Sequence, residues 1–155
     1  MEHIAPPVLI LGIGNILLRD EGVGVHVVRE MMALKLDDGV EVIDGGTSGA
    51  DLVDTIADRR KVIVVDAMKV DEPPGTIIRF TDKELMDHPE RSISMHEFGL
   101  SETLMMARQL GCAPREVVIF GVVPAILRPP ALELSPQIAA LVPKLIKLVL
   151  EEARK

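Results

Sequence analysis

The sequence predicts an α/β fold on a mostly parallel sheet with helices on both faces. Three observations carry this. Short apolar runs alternate along the chain with stretches bearing helix caps and an apolar stripe, the pattern of repeated β-α units. The strand-like runs, such as Val8-Leu9-Ile10-Leu11, are continuously apolar rather than alternating, which suits strands buried on both sides. The length of 155 residues fits one domain covering residues 1–155.

The elements follow in order. The first strand, residues 8–11, stops at Gly12. Asp20 then caps a helix over about 21–35, whose apolar stripe is Val23, Val27, Met31 and Leu34. A second strand, 40–43, is stopped by Asp44-Gly45-Gly46, and Ser48 caps a helix through Ala57 with Leu52, Val53 and Ile56 facing inward. Residues 61–65 form a third strand, the most apolar and hence central. Pro73-Pro74-Gly75 is a turn, and 76–80 is a short strand running antiparallel at the sheet edge. Thr81-Asp82-Lys83-Glu84 is a capping box for a short helix, and the polar residues 87–93 form a loop. Ser94-Met95-His96-Glu97 is a second capping box, whose helix ends at Gly111, a natural residue for a left-handed terminus. Residues 116–122 form another buried strand. Ser135-Pro136 supplies a cap and a first-turn proline for a last helix to about Arg154, kinked at Pro143.

Composition excludes several classes of function. A formal net charge of −7 gives no electrostatic footprint for nucleic acid or anionic lipid. Three Phe with no Trp or Tyr leave an aliphatic core and no base-stacking platform. The single cysteine, Cys112, forms no internal disulfide, which fits a reducing compartment. The N-terminus lacks a basic region and its apolar run, 8–13, is too short for a signal peptide or a membrane span. The expectation is a cytoplasmic protein with no membrane or nucleic-acid partner.

In open α/β sheets ligands sit beyond the carboxyl ends of the strands. The polar residues just past those ends are Asn15, Asp20 and Glu21, then Asp44, Thr47 and Ser48, then Asp66, with His96 at the start of the helix before the last strand. Glu21, Asp66 and His96 make a two-carboxylate, one-imidazole set that suits nickel, zinc or manganese and leaves positions open for water or substrate. Plainer readings stand beside this one. Glu21 in a first helical turn answers the helix dipole, and His96 can be an ordinary surface histidine. Asp66 is harder to explain away, because no helix starts after it to be capped. Gly12-Ile13-Gly14 invites a dinucleotide-binding reading, but Leu17 stands where that fingerprint needs Gly or Ala. No G-x-S-x-G elbow is present, and Cys112 has no cationic partner in view.

Together these segments resemble the hydrogenase maturation proteases, nickel-dependent endopeptidases of hydrogenase large subunits. The stretch from Leu9 to Val25, including Gly12-Ile13-Gly14-Asn15 and Asp20-Glu21-Gly22-Val23-Gly24, is similar to the family's first-strand signature. Asp44-Gly45-Gly46-Thr47, Val64-Val65-Asp66-Ala67, His96-Glu97-Phe98-Gly99-Leu100 and Gly121-Val122-Val123-Pro124 resemble its other motifs, in the same order. The resemblance implies a three-layer α/β/α sandwich on a twisted five-stranded sheet. It carries the metal ligands over to Glu21, Asp66 and His96 and gives Asp44 a supporting catalytic role. It implies removal of a C-terminal extension from a nickel–iron hydrogenase large-subunit precursor after nickel insertion. The nickel is supplied by the precursor, the one partner expected, and the free protease is a monomer. Glu97 departs from the family, where many members have Gln. Two rival readings are a non-catalytic nickel-binding escort module, and a nucleotide-binding oxidoreductase domain, which the missing third glycine disfavours.

Overall fold

The computed structural model describes residues 4–47, 51–87 and 99–155. Strand β1 (Val8–Ile13) lies between β2 (Val40–Gly46) and β3 (Lys61–Ala67), parallel to both. Strand β3 pairs in parallel with β5 (Glu116–Val122), and β4 (Ile77–Thr81) closes the far edge antiparallel to β5. The strand order is β2-β1-β3-β5-β4.

The apolar runs explain the layering. In the central strands both faces are covered, so alternate residues feed two separate cores. Val8, Ile10, Ile63, Val65, Val118 and Phe120 point to one face, where α1 (Val23–Met31), α5 (Pro136–Ala139) and α6 (Val142–Ala153) pack on them. Leu9, Leu11, Val62, Val64, Val117 and Ile119 point to the other, under α2 (Leu52–Ile56), α3 (Asp82–Asp87) and α4 (Leu100–Gln109). This is the three-layer α/β/α arrangement with one antiparallel edge strand that the sequence implied.

The boundaries differ in ways that matter. The helix expected over 21–35 is a 3-10 turn, Arg19–Gly22, followed by a shorter α1 that stops at Met31. Beyond it the N–H groups of Ala33 and Leu34 bond only three residues back, and Met32 and Leu34 face solvent. The last helix is broken rather than kinked. Pro143 has no N–H for the carbonyl of Ala139, so α5 ends there and Pro143 sits in the first turn of α6. Strands β2 and β3 run past their expected ends, so Asp44 and Asp66 belong to strands rather than to the loops after them. Gly111, at φ 74°, ends α4 as expected, with Cys112 N–H bonding to Ala107 O and Gly111 N–H to Arg108 O. The Thr81 capping box forms on one side, with the N–H of Glu84 donating to Thr81 Oγ1 at 3.3 Å. The expected caps Ser48 and Ser94, and the loop over 88–93, lie outside the described residues.

Opposite the carboxyl edge, a buried ion network closes the sheet. Lys61, at the start of β3, is 1% exposed. Its ammonium donates to Glu152 Oε2 at 2.6 Å and to the Glu152 carbonyl at 2.9 Å. Arg79 Nε donates to the other oxygen at 2.7 Å. Burial raises the Glu152 carboxyl, but the hydrogen bonds from Arg79 and Lys61 outweigh it and hold the group at about 2. Donating that bond to the Glu152 carboxylate raises Arg79 above its ordinary value.

Candidate active site at the carboxyl edge of the sheet

Close backbone packing at the carboxyl edge positions Glu21. The turn that bears it leans on β3. Gly14, at φ 150°, lies so near that a Cβ there would come within 2.2 Å of the Glu21 carbonyl oxygen. A Cβ on Gly24 would come within 2.0 Å of the Val65 carbonyl oxygen, so only glycine lets α1 start directly against β3 beside Asp66. The glycines of the first-strand segment therefore serve close contact between backbones. Both carboxylate residues are withdrawn from solvent, Glu21 at 4% exposure and Asp66 at 8%. The turn and the last residues of β3 thus bring these two to the same end of the sheet.

His96, the third expected ligand, lies outside the described residues, and so does Glu97. The chain is described again from Gly99, which opens α4. The other end of α4 is tied to the amino edge, where Asp58 N–H donates to Cys112 O at 2.9 Å. Ten residues of helix rise roughly 15 Å, so α4 begins toward the carboxyl edge. Among the described residues no group of three or more His, Cys, Asp or Glu could hold a metal ion, and Glu21 and Asp66 are two of the three expected donors.

Asp44 is placed apart from Asp66. It pairs in register with Gly12 of β1, and the pleat turns its side chain to the α1 face. There Arg29 Nε donates to Oδ2 at 3.1 Å and Gly46 N–H to Oδ1 at 2.9 Å. Asp66 shares the parity of Val62 and Val64 and points to the opposite face. Asp44 therefore shapes the end of β2, where Gly46 takes φ 51°. Asn15 acts similarly, its side-chain oxygen accepting the Leu17 N–H at 2.9 Å. Cys112 is half-buried against the α4-side core.

The residue that the sequence misled on is Asp20. It caps nothing: it is 0% exposed, and its carboxylate gathers a distant loop. Oδ2 accepts the N–H groups of Ala125 at 2.9 Å and Ile126 at 2.7 Å and the hydroxyl of Ser135 at 2.7 Å, while Oδ1 accepts the Ser135 N–H at 2.7 Å. Ser135 in turn makes no side-chain cap for α5; its hydroxyl donates to Asp20 instead. Main-chain bonds reinforce the clamp, from Asp20 N–H to Ile126 O and from Arg19 N–H to Ala131 O, both 3.1 Å. No signal within residues 15–25 distinguishes this role from capping.

Comparison with known proteins decides the family. A family model described as hydrogenase maturation protease matches residues 25–152. The chain belongs to the hydrogenase maturation protease family. It is 35% identical over 150 residues to the hydrogenase 2 maturation protease of Escherichia coli (strain K12), covering 96% of this chain and 91% of that one. It is 37% identical over 152 residues to a putative hydrogenase maturation protease of Methanocaldococcus jannaschii, covering 96% and 97%. Among solved structures, the hydrogenase maturating endopeptidase HybD of Escherichia coli superposes with a TM-score of 0.86 at 36% identity, covering 95% of this chain and 91% of that one. A NiFe hydrogenase maturation protease of Thermococcus kodakarensis reaches 0.78 at 26% identity, covering 94% and 98%. This protease is thus a peptide-bond hydrolase. Among its described residues no helix is long and apolar enough to cross a membrane.

Proposed function

We propose that this protease removes the C-terminal extension of a nickel–iron hydrogenase large-subunit precursor, and that it recognises the nickel the precursor already carries. The observation that supports this reading best is the pair of withdrawn carboxylates, Glu21 and Asp66, at the edge where α/β sheets bind ligands. With the imidazole of His96 they form a mixed oxygen and nitrogen donor set suited to a borderline divalent ion. Nickel is here part of the substrate, and when bound it polarises a carbonyl or a water as a Lewis acid.

The chain's own groups then have distinct roles. Glu21, Asp66 and His96 grip the ion and so fix the scissile bond relative to the sheet. One of the ligand carboxylates accepts the proton of the attacking water. Asp44 supports activity indirectly, by holding the end of β2 through Gly46 and Arg29. The protease acts in the cytoplasm as a monomer on one protein partner.

Mass spectrometry of the precursor tests this. Incubated with the protease, nickel-loaded precursor should lose one C-terminal peptide, and nickel-free precursor should keep its full mass. Unchanged mass of the loaded precursor would indicate an escort module. Efficient cutting of the nickel-free precursor would refute recognition through nickel. His96→Ala should abolish cutting while the far-ultraviolet circular dichroism stays that of the parent.

A further inference from the structure

We propose that the open edge of β4, together with the cavity beside it, takes up an extended segment of the protein substrate as an added strand. The inference rests on the processing of a precursor polypeptide proposed above.

The edge itself is the first support. Among the described residues β4 pairs with β5 alone. The register tells which of its main-chain groups are spent. Met68 N–H donates to Val122 O at 2.8 Å, which puts the main chain of Val122 on the β3 side. Val123 N–H donates to Thr76 O at 3.0 Å, which puts its neighbours' alternates on the β4 side. Gly121 and Ile119 therefore bond to Ile78 and Phe80, their partners in register, and the main chain of Ile77 and Arg79 faces outward. Outward-facing N–H and C=O groups on an edge strand are a template for another extended chain.

The cavity is the second. It has a volume of about 530 Å³ and an apolar floor that includes Met68, Ile78 and Phe80; its charged walls are Asp71, Glu72 and Glu84 and one cation, Arg79, whose Nε is already bonded to Glu152. An apolar floor with exposed carboxylates suits a lysine or arginine, whose stem lies on the floor while the cation reaches the acids. The occupant is therefore an extended peptide carrying a basic side chain.

Continuity with the candidate site is the third. Asp66, Gly121 and Ile78 lie in one row across the sheet, and residues opposite one another share a face. Gly121 has no side chain, and a Cβ there would come within 2.7 Å of the Met68 sulfur. Met68 thus fills the row between the Asp66 carboxylate and the cavity. Three strand spacings of about 4.8 Å separate Asp66 from an added strand, roughly 14 Å, which four or five extended residues span. One polypeptide can present its scissile bond at Asp66 and lie along β4 at once.

Site-resolved amide exchange tests the proposal, with a nickel-loaded precursor made uncleavable by proline after the scissile bond. Binding should slow exchange at Ile77 and Arg79 by about tenfold or more, while Ile78 and Phe80, already paired, stay unchanged. With cleavable precursor, the double variant Asp71→Lys, Glu72→Lys should raise KM about tenfold with kcat held within about twofold. Unchanged exchange at Ile77 and Arg79 in the bound complex overturns the proposal. So does the same slowing when the protease is concentrated alone, which assigns the edge to a second copy of this chain. Failure of the parent protease to cut loaded precursor would count against the processing reading alone, because the exchange measurement needs no cleavage.

Discussion

Replacing Asp20 by asparagine removes one charge and one acceptor from a site that is 0% exposed. Four donors converge on this carboxylate, three of them main-chain N–H groups. The less costly orientation of the amide sets its NH2 at the Oδ1 position, facing the Ser135 N–H, and keeps oxygen where Oδ2 accepts three bonds. One buried N–H without an acceptor costs about 1–3 kcal/mol. The three remaining bonds lose their charge assistance, about 1 kcal/mol in total after local relaxation. Asp20→Asn should therefore destabilise the protein by about 2–4 kcal/mol, against a total on the order of 10 kcal/mol. With a urea slope of about 2 kcal/mol per molar, the midpoint falls by roughly 1–2 M. Ser135→Ala, which removes one hydroxyl and leaves every N–H accepted, should cost only about 1 kcal/mol. Processing of nickel-loaded precursor should slow in Asp20→Asn as well, because Glu21 is the next residue on the clamped turn. A midpoint within about 0.3 M of the parent would show that the carboxylate does not hold the loop.

Three further outcomes follow from the packing. Glu152 sits at about 2 against an ordinary 4.5, so its contribution is complete above pH 4.5 and lost as pH falls toward 2; stability should drop by on the order of 3 kcal/mol over that range, and unfolding midpoints taken from pH 5 to 2 check it. Glu152→Gln removes the one buried counter-charge of Lys61, leaving it the Glu152 carbonyl and the half-exposed Glu116 carboxylate 3.6 Å away, so it should cost about 2–3 kcal/mol at pH 7 and flatten that acid dependence. Gly24→Ala places a methyl 2.0 Å from the Val65 carbonyl oxygen, so α1 must move off β3; a loss of about 3 kcal/mol or more, with processing reduced beyond the unfolded fraction, is expected, and an unchanged melting temperature would contradict the contact.

Local chemistry made the strands and the layering legible in the sequence. Val8 to Ile13, Val62 to Val65 and Val117 to Val122 are apolar on both faces, and a strand with two apolar faces has to be covered twice. The antiparallel edge strand followed from the Pro73-Pro74-Gly75 turn, and the end of α4 from Gly111, because both depend on backbone preferences of neighbouring residues. Glu21 and Asp66 were also legible, as acids at the carboxyl ends of strands, where the fold leaves room for a ligand.

What the sequence hid depends on partners far along the chain. Asp20 has the local signature of a cap, and only its meeting with Ser135, 115 positions later, shows that it is a clamp. The side of the sheet taken by Asp44 depends on register with Gly12, which moved it to the α1 face, away from Asp66. The Lys61–Glu152 pair, 91 positions apart, likewise exists only once α6 has packed. The sequence by itself determined which segments become strands and helices and which acids end beside the ligand edge, because those follow from side-chain polarity and backbone preference within a few residues. Tertiary structure alone decided which buried charges meet, since a carboxylate withdrawn from water is stabilised only by the donors that packing brings to it.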